Sequence, residues 1–232
     1  MRVLAVIPAR GGSKGVPGKN IKILGNKTLL QYTFDSAKAS TLLAKIILSS
    51  EDAGIIAVAS ALGIEVPFVR PSELATDAAK SIDVIQHAVS FLEDRGEYFD
   101  AVCLLQVTSP FREKDFLDRA IQKFIATDVD TLISVLPVPH EYNPHWVFEE
   151  NELGNLFIAT GEQEIISRRQ ELPKAFYRDG ALYITKMKYI KEGTFYGSNM
   201  GYIESNPDLH VNIDTLSDWE KAENKIEKYR LC

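Results

Sequence analysis

Apolar residues follow two alternating rhythms along the chain. Val3–Ile7, Lys45–Ser50, Ala101–Leu105 and Thr131–Val135 are short apolar runs, the pattern of strands buried on both faces. Between them, apolar residues recur at helical spacing: Leu29, Leu30, Phe34 and Ala37; Ile55, Ile56, Ala59 and Leu62; Ile82, Ile85, Val89 and Leu92; Phe116, Ala120, Phe124 and Ile125. Gly63 ends the second of these helices and Ser81 opens the third. Glu65–Val69 reads as a further short strand. This alternation predicts an α/β fold, a three-layer arrangement around a mostly parallel sheet.

The rhythm breaks at Pro137. From about residue 138 to about 178 the chain is aromatic and polar, with a hairpin-like turn at Asn151-Glu152-Leu153-Gly154. We read it as a lobe inserted into one domain spanning 1–232. Regular structure resumes at Ala181–Ile184, and Val211–Ile213 reads as a late short strand. Ser217-Asp218-Trp219-Glu220 reads as a capping box opening a last helix that buries Trp219, Ala222, Ile226 and Tyr229.

Composition narrows the class. At 45% hydrophobic and 25% charged residues the chain is of ordinary globular type. A pI near 5.3 argues against nucleic-acid or anionic-membrane binding. The first apolar run is short and interrupted by Pro8, unlike a signal peptide, and no stretch reaches the roughly 20 apolar residues of a membrane span, so a cytoplasmic protein is expected. Cys103 falls in a core strand and Cys232 is the last residue, so neither a bridge between them nor a thiolate zinc site is expected.

Charge is unevenly spread. The first acidic residue is Asp35, and Arg2, Arg10, Lys14, Lys19, Lys22 and Lys27 precede it, so the first 34 residues carry +6 in a chain of net −6. Three of these cations, Arg10, Lys14 and Lys19, lie within Ala9-Arg10-Gly11-Gly12-Ser13-Lys14-Gly15-Val16-Pro17-Gly18-Lys19-Asn20, directly after the first strand. Four glycines in that stretch leave backbone N–H groups able to curl round an anion, and the local positive field points to a bound polyanion. A Walker A loop would need Gly and Ser or Thr where Ser13 and Asn20 stand, and a dinucleotide fingerprint would need Gly at Ser13.

Ligands of open α/β sheets sit outside the carboxyl ends of the strands. That rule selects the glycine-rich loop, Ser49-Ser50-Glu51, Arg70-Pro71, Gln106-Val107-Thr108-Ser109-Pro110 and Asp214, and it demotes Asp100, Asp128 and Asp130. Asn212 and Asp214 share one face of the late strand, and two oxygen side chains at a strand end suit Mg²⁺; a simple turn into the last helix fits them equally. In Arg168-Arg169 a planar guanidinium matches an anionic substrate, although a solvated surface doublet has the same sequence. No nucleophile–base pairing is evident among His87, His140, His145 and His210.

Together these residues resemble the acylneuraminate cytidylyltransferases, the bacterial CMP–nonulosonate synthetases. The similarity rests on Ala9-Arg10-x-x-Ser13-Lys14-Gly15-x-Pro17-x-Lys19-Asn20, then Arg70-Pro71-x-Glu73-Leu74-Ala75-x-Asp77, Leu105-Gln106-x-Thr108-Ser109-Pro110-x-Arg112, Arg169-Gln170-x-Leu172-Pro173 and Gly180-Ala181-x-Tyr183-Ile184, in that order over nearly the whole chain. The sister family acting on the octulosonate KDO usually carries a Tyr-x-Ser-x-Arg loop that is absent here.

The resemblance implies a Rossmann-like nucleotidyltransferase fold whose inserted lobe forms a homodimer and closes the partner's site. It implies that CTP and a nine-carbon α-keto acid sugar give a CMP-sugar and pyrophosphate, with Mg²⁺ as cofactor and neither nucleic acid nor membrane as partner. Arg10, Gly12, Ser13, Lys14 and Lys19 would hold the triphosphate; Asn20, Arg70 and Ser81 would address the cytidine. Gln106 would serve nucleotide and sugar, while Arg169, Tyr183, Phe195 and Tyr196 would address the sugar. Asp214, with Asn212, would bind the metal, and Arg10, Lys14 and Asp214 would carry the chemistry. Three residues depart from the family pattern: Asn212 replaces an Asp, which keeps a non-catalytic nucleotide-binding protein in view; Asp179 replaces an Asn beside the sugar; and Trp146 replaces a Lys, pointing to a legionaminate- or pseudaminate-like acceptor.

Overall fold

The computed structural model describes residues 1–231; the expectation for a Cys103–Cys232 pair lies outside them. In chain order the elements are β1 (Val3–Pro8), β2 (Ile23–Leu24), β3 (Lys27–Thr28), α1 (Leu29–Ala39), β4 (Leu43–Ser49), α2 (Ala53–Leu62), α3 (Ser81–Glu93), β5 (Ala101–Leu104), α4 (Phe116–Thr127) and β6 (Thr131–Pro137). The lobe holds β7 (Phe148–Glu150) and β8 (Leu156–Ile158); after it come β9 (Phe176–Lys186), α5 (Met187–Lys191), β10 (Met200–Glu204) and α6 (Leu216–Tyr229). The central sheet runs β10-β6-β9-β5-β1-β4.

Successive residues of β1 explain the three layers. Val3, Ala5 and Ile7 pack into a cluster with α1, α2, α4 and α6, whereas Leu4 and Val6 pack against α3 and α5. A strand with period 2 and apolar residues at every position must be covered on both faces. Each such Leu or Ile contributes about 1.5–3 kcal/mol by leaving water. Helix starts follow local chemistry: Thr28 accepts from the Gln31 N–H at 3.0 Å and Asp52 from the Ile55 N–H at 2.8 Å.

Four features differ from the sequence expectations. Glu65–Val69 forms only a single bridge, Glu65 to Ile47, because Pro67 has no N–H to continue a ladder. Val211–Ile213 joins no sheet, because both backbone groups of Ile213 are taken by loops: its N–H by the Thr108 carbonyl at 2.8 Å, its carbonyl by Lys19 Nζ at 2.8 Å. The alternation still holds there, with Ile213 buried and Asn212 and Asp214 exposed. The capping box lies two residues earlier than expected, with Thr215 as cap and Asp218 returning the bond. The sheet also gains an edge strand, β10, whose pattern carried no clear period.

The sheet is mixed at one strand. β1 runs parallel to β4 and β5, and β6 parallel to β10, while β9 is antiparallel to both β5 and β6. The amino end of β9 therefore lies on the same sheet edge as the carboxyl ends of its neighbours. There β9 bulges: Tyr183 faces Ile133 but Arg178 faces Val135, so five steps on β9 match two on β6. Gly180 takes a positive φ of 78° within the bulge, and Asp179 fills it. One Asp179 oxygen accepts from the Ser134 hydroxyl and from the Ala181 N–H at 3.0 Å, and Ser134 Oγ accepts from the Leu182 N–H at 2.8 Å.

Candidate active site

Two clefts open side by side on this edge of the sheet. The larger, about 480 Å³, is lined by Arg10, Ser13, Lys14, Lys19, Asn20, Arg70, Ser81, Gln106, Asn212 and Asp214, together with Asp77 and Thr108. Every residue that the sequence assigned to nucleotide or metal lines it except Gly12, where a Cβ would meet open space. The smaller, about 290 Å³, is lined by Lys80, Ser81, Gln106, Arg178, Tyr183, Phe195 and Tyr196. Ser81 and Gln106 belong to both, so they form the seam.

The glycine-rich loop is braced from behind. The Gly11 N–H donates to Glu51 Oε1 at 2.7 Å and the Ser13 N–H to the Gly11 carbonyl at 2.9 Å, so the backbone nest expected for this loop is partly spent within the chain. Anion binding then falls more on side chains. Gly15 is held by close approach: a Cβ there would lie 1.9 Å from the Asp214 carbonyl oxygen. Asn20 is buried and donates its amide to the Arg10 carbonyl at 2.8 Å, tying the two ends of the loop together.

Arg70 braces the same floor. Its Nη2 donates to the carbonyls of Ala9 at 2.8 Å and Ser49 at 3.0 Å and faces Glu51 at 3.1 Å. Burial makes its guanidinium easier to deprotonate than a free one, and Glu51 opposes this. Both Asn20 and Arg70 thus shape the cleft as well as line it.

The cations of the larger cleft already hold carboxylates. Arg10 Nη2 lies 2.8 Å and Lys14 Nζ 2.5 Å from the two oxygens of Asp77. Lys14 first, and then Arg10, hold the Asp77 carboxyl below its usual range. Lys19 Nζ is 3.0 Å from Asp214 Oδ1, and the Asn212 amide donates to Asp214 Oδ2 at 2.6 Å. Asp77 stood inside a sequence block that carried the resemblance, but only the structure reveals its place between two cations.

Among the described residues no three His, Cys, Asp or Glu gather as a metal cage. Asp214 and Asn212 instead offer one exposed carboxylate and one amide beside the phosphate-sized cleft. That sparse oxygen set fits Mg²⁺, which keeps waters and takes substrate phosphate oxygens, and is too small for a dedicated all-protein calcium cage.

In the smaller cleft Arg178 Nη1 donates to the Tyr196 hydroxyl at 3.0 Å, and Tyr183 lines the same cleft. Burial raises the Tyr183 phenol, with Arg178 pulling the other way. Gly180 gives Gln106 its room, since a Cβ there would lie 2.9 Å from Gln106 Oε1.

Three sequence expectations are relocated. Arg169 sits in the lobe and lines a separate groove with His140, Asn143, Phe176 and Glu204. Asp179 is buried as the clamp of the bulge, facing Arg112 and His210 across an inner cavity, so it does not line the acceptor-side cleft. Trp146 donates its indole N–H to the Ile166 carbonyl at 2.6 Å, lies near His140, and lines neither cleft.

Residues 4–230 match the cytidylyltransferase family. The chain is 35% identical to a pseudaminic acid cytidylyltransferase of Campylobacter jejuni over 96% of its own length and 95% of that protein's. It is 33% identical to a CMP-N,N'-diacetyllegionaminic acid synthase of Legionella pneumophila, covering 98% and 97% of the two chains. It is 32% identical to an N-acylneuraminate cytidylyltransferase of Streptococcus agalactiae, covering 94% of this chain and 52% of that one. Among solved structures, a CMP:2-keto-3-deoxy-manno-octonic acid synthetase complexed with CTP superposes with a TM-score of 0.73 at 15% identity, over 99% of this chain and 100% of that one. A 4-diphosphocytidyl-2C-methyl-D-erythritol synthase from Anaerococcus prevotii superposes with a TM-score of 0.68 at 11% identity, over 97% and 96%. The fold, the cationic cleft and these matches agree: the chain belongs to the cytidylyltransferase family of nucleotidyltransferases.

Proposed function

We propose that this enzyme joins CTP to a nonulosonic acid of the pseudaminic or legionaminic kind, releasing pyrophosphate. One observation supports it above the rest: a cleft of four cations and a tyrosine-lined cleft meet at Ser81 and Gln106. A triphosphate in the first would bring its α-phosphorus to that seam, where a sugar held in the second presents its anomeric hydroxyl. The new O–P bond forms as the bond to the departing pyrophosphate breaks, and the hydroxyl proton is lost to solvent or a phosphate oxygen. Such a reaction needs alignment and charge neutralisation rather than a covalent nucleophile, which agrees with the scattered histidines. The choice of acceptor rests on the named relatives, since Trp146 has a structural partner of its own.

Arg10 and Lys14 would exchange Asp77 for the phosphates, and Lys19 would orient Asp214. Asp214 and Asn212 would hold Mg²⁺, which when bound neutralises charge growing on the phosphate oxygens. Arg169 would reach the sugar from a second copy of the chain. In support of a homodimer, the lobe concentrates exposed apolar side chains, with Tyr142, Phe148, Leu153, Leu156, Phe157 and Ile165 all exposed on or beside its hairpin. Incubation with CTP, Mg²⁺ and a panel of nonulosonic acids tests the activity. Pyrophosphate release that depends on a pseudaminic or legionaminic acid is the expected result; release with KDO alone, or with none of them, overturns it.

A further inference from the structure

The bulge in β9 re-aims a side chain at the sheet edge. Its three residues are divided sharply: Asp179 turns inward onto Ser134, Gly180 supplies the positive φ, and Arg178 projects into the smaller cleft. Bulges next to active sites commonly serve this purpose. One phenol then fixes the guanidinium, Tyr196 at 3.0 Å, and Tyr183 lines the same cleft.

What distinguishes Arg178 is its choice of partners. Arg10 and Lys14 hold Asp77, Lys19 holds Asp214, and Arg70 holds Glu51. Arg178 makes no ion pair with a carboxylate among the described residues. A planar cation oriented by a neutral hydroxyl inside a cleft keeps its remaining N–H donors for an anion from outside. Two further features favour an anion there. Lys80, also paired with no carboxylate among the described residues, lines the same cleft, and it stands at the N-terminus of α3, whose first turn has no side-chain cap.

We propose that Arg178 binds the carboxylate of the acceptor sugar acid, so that it selects acidic acceptors and sets the orientation of the sugar at the seam. The inference rests on the proposed function and deepens it, giving the carboxylate to a residue of this chain rather than to Arg169. The guanidinium would take the carboxylate through its free edge while Tyr196 holds the other. Phe195 and the tyrosine rings would line the apolar side.

The test compares the acceptor acid with its neutral methyl ester in the wild-type enzyme and in Arg178→Gln, reading both steady-state turnover and direct binding by calorimetry. Wild type is expected to prefer the acid by about 10- to 100-fold in KM. Arg178→Gln should lose that preference, the acid falling to the level of the ester in both KM and kcat, while the KM for CTP holds within about 3-fold and the melting temperature does not move, because the side chain is exposed and supports no core. Tyr196→Phe, which removes the fixing hydroxyl, should lose only part of the preference.

An unchanged acid-to-ester ratio in Arg178→Gln, with turnover intact, overturns the assignment of Arg178 alone. Carboxylate-dependent binding that requires Arg178, without turnover of any acceptor, supports Arg178 and overturns the catalytic reading. Absence of both binding and turnover overturns both. A merely structural role would depress acid and ester equally, which also counts against the proposal.

Discussion

The two halves of the active-site cleft solve the same electrostatic problem in opposite ways. In the phosphate half each cation already has a carboxylate partner: Asp77 spans Arg10 and Lys14, and Asp214 faces Lys19. In the acceptor half Arg178 is held by a phenol, that of Tyr196. In the proposed reaction a triphosphate would displace these carboxylates, and it brings enough charge to do so. A sugar acid would bring a single charge to a guanidinium that Tyr196 already orients. The first half would then exchange partners, whereas the second is prepared in advance.

The contrast breaks most visibly at Asp214. Its carboxylate holds Lys19 and the Asn212 amide, and in the proposed metal site it would be the one acidic donor of the pair. Asp214→Ala should lower Mg²⁺-dependent turnover by about 10³-fold. Asn212→Ala, which removes a neutral ligand or orienting group, should cost about 10-fold. Metal titrations of turnover in both variants check this; equal losses would make Asn212 a full ligand.

Lys14→Ala comes next. The Lys14 side chain is 83% exposed, so the fold should survive with its melting temperature unchanged. Turnover should fall by about 10²-fold, the usual cost of one donor to a developing oxyanion. The KM for the acceptor should not move, because Lys14 lies outside the smaller cleft. An acceptor effect as large as the CTP effect would show that the halves do not act separately.

These outcomes bear on what the sequence revealed. The phosphate half was legible because its residues follow a strand and crowd into one basic, glycine-rich stretch. The acceptor half was legible only as resemblance. Arg178 escaped because the carboxyl-end rule assumes parallel strands, whereas β9 runs backwards and presents its amino end. No local pattern announces that reversal; it follows from which strands pair. Asp179 was placed beside the sugar by the resemblance alone, and only the bulge reveals that its side chain turns inward. The missing strands at Glu65–Val69 and Val211–Ile213 have a different cause. Their apolar periods are sound, but Pro67 and two loop contacts take the backbone groups a ladder needs.

A smaller effect should follow from removing Asp77. If its carboxylate occupies the phosphate cations in the free enzyme, binding of CTP includes breaking two half-exposed ion pairs. Such solvent-screened pairs are weak. Asp77→Ala should then tighten CTP binding by about 2- to 5-fold, read as the calorimetric Kd, with acceptor binding unchanged. Weaker CTP binding would make Asp77 a participant in the complex and would end the exchange picture.

The gentlest perturbation acts through the cap of α6. Asp218 accepts from the N–H groups of Thr215 at 3.1 Å and Asp214 at 3.4 Å, so the capping box also fixes the backbone of the candidate metal ligand. Lys221 first, and then Thr215, hold the Asp218 carboxyl down to about 2. A depressed carboxyl stabilises the fold above its unfolded pKa, near 4, and that contribution is lost as pH falls through about 2. Asp218→Asn should therefore flatten the stability profile between about pH 4 and pH 2, measured as urea midpoints. Thr215→Ala should cost about 1 kcal/mol at neutral pH. If the cap positions Asp214, either variant should raise the Mg²⁺ concentration needed for half-maximal turnover, yet leave the acid-to-ester preference governed by Arg178 where it was. A shift in that preference would mean that the two halves are mechanically joined through Ser81 and Gln106, and the contrast between them would hold for charge but not for motion.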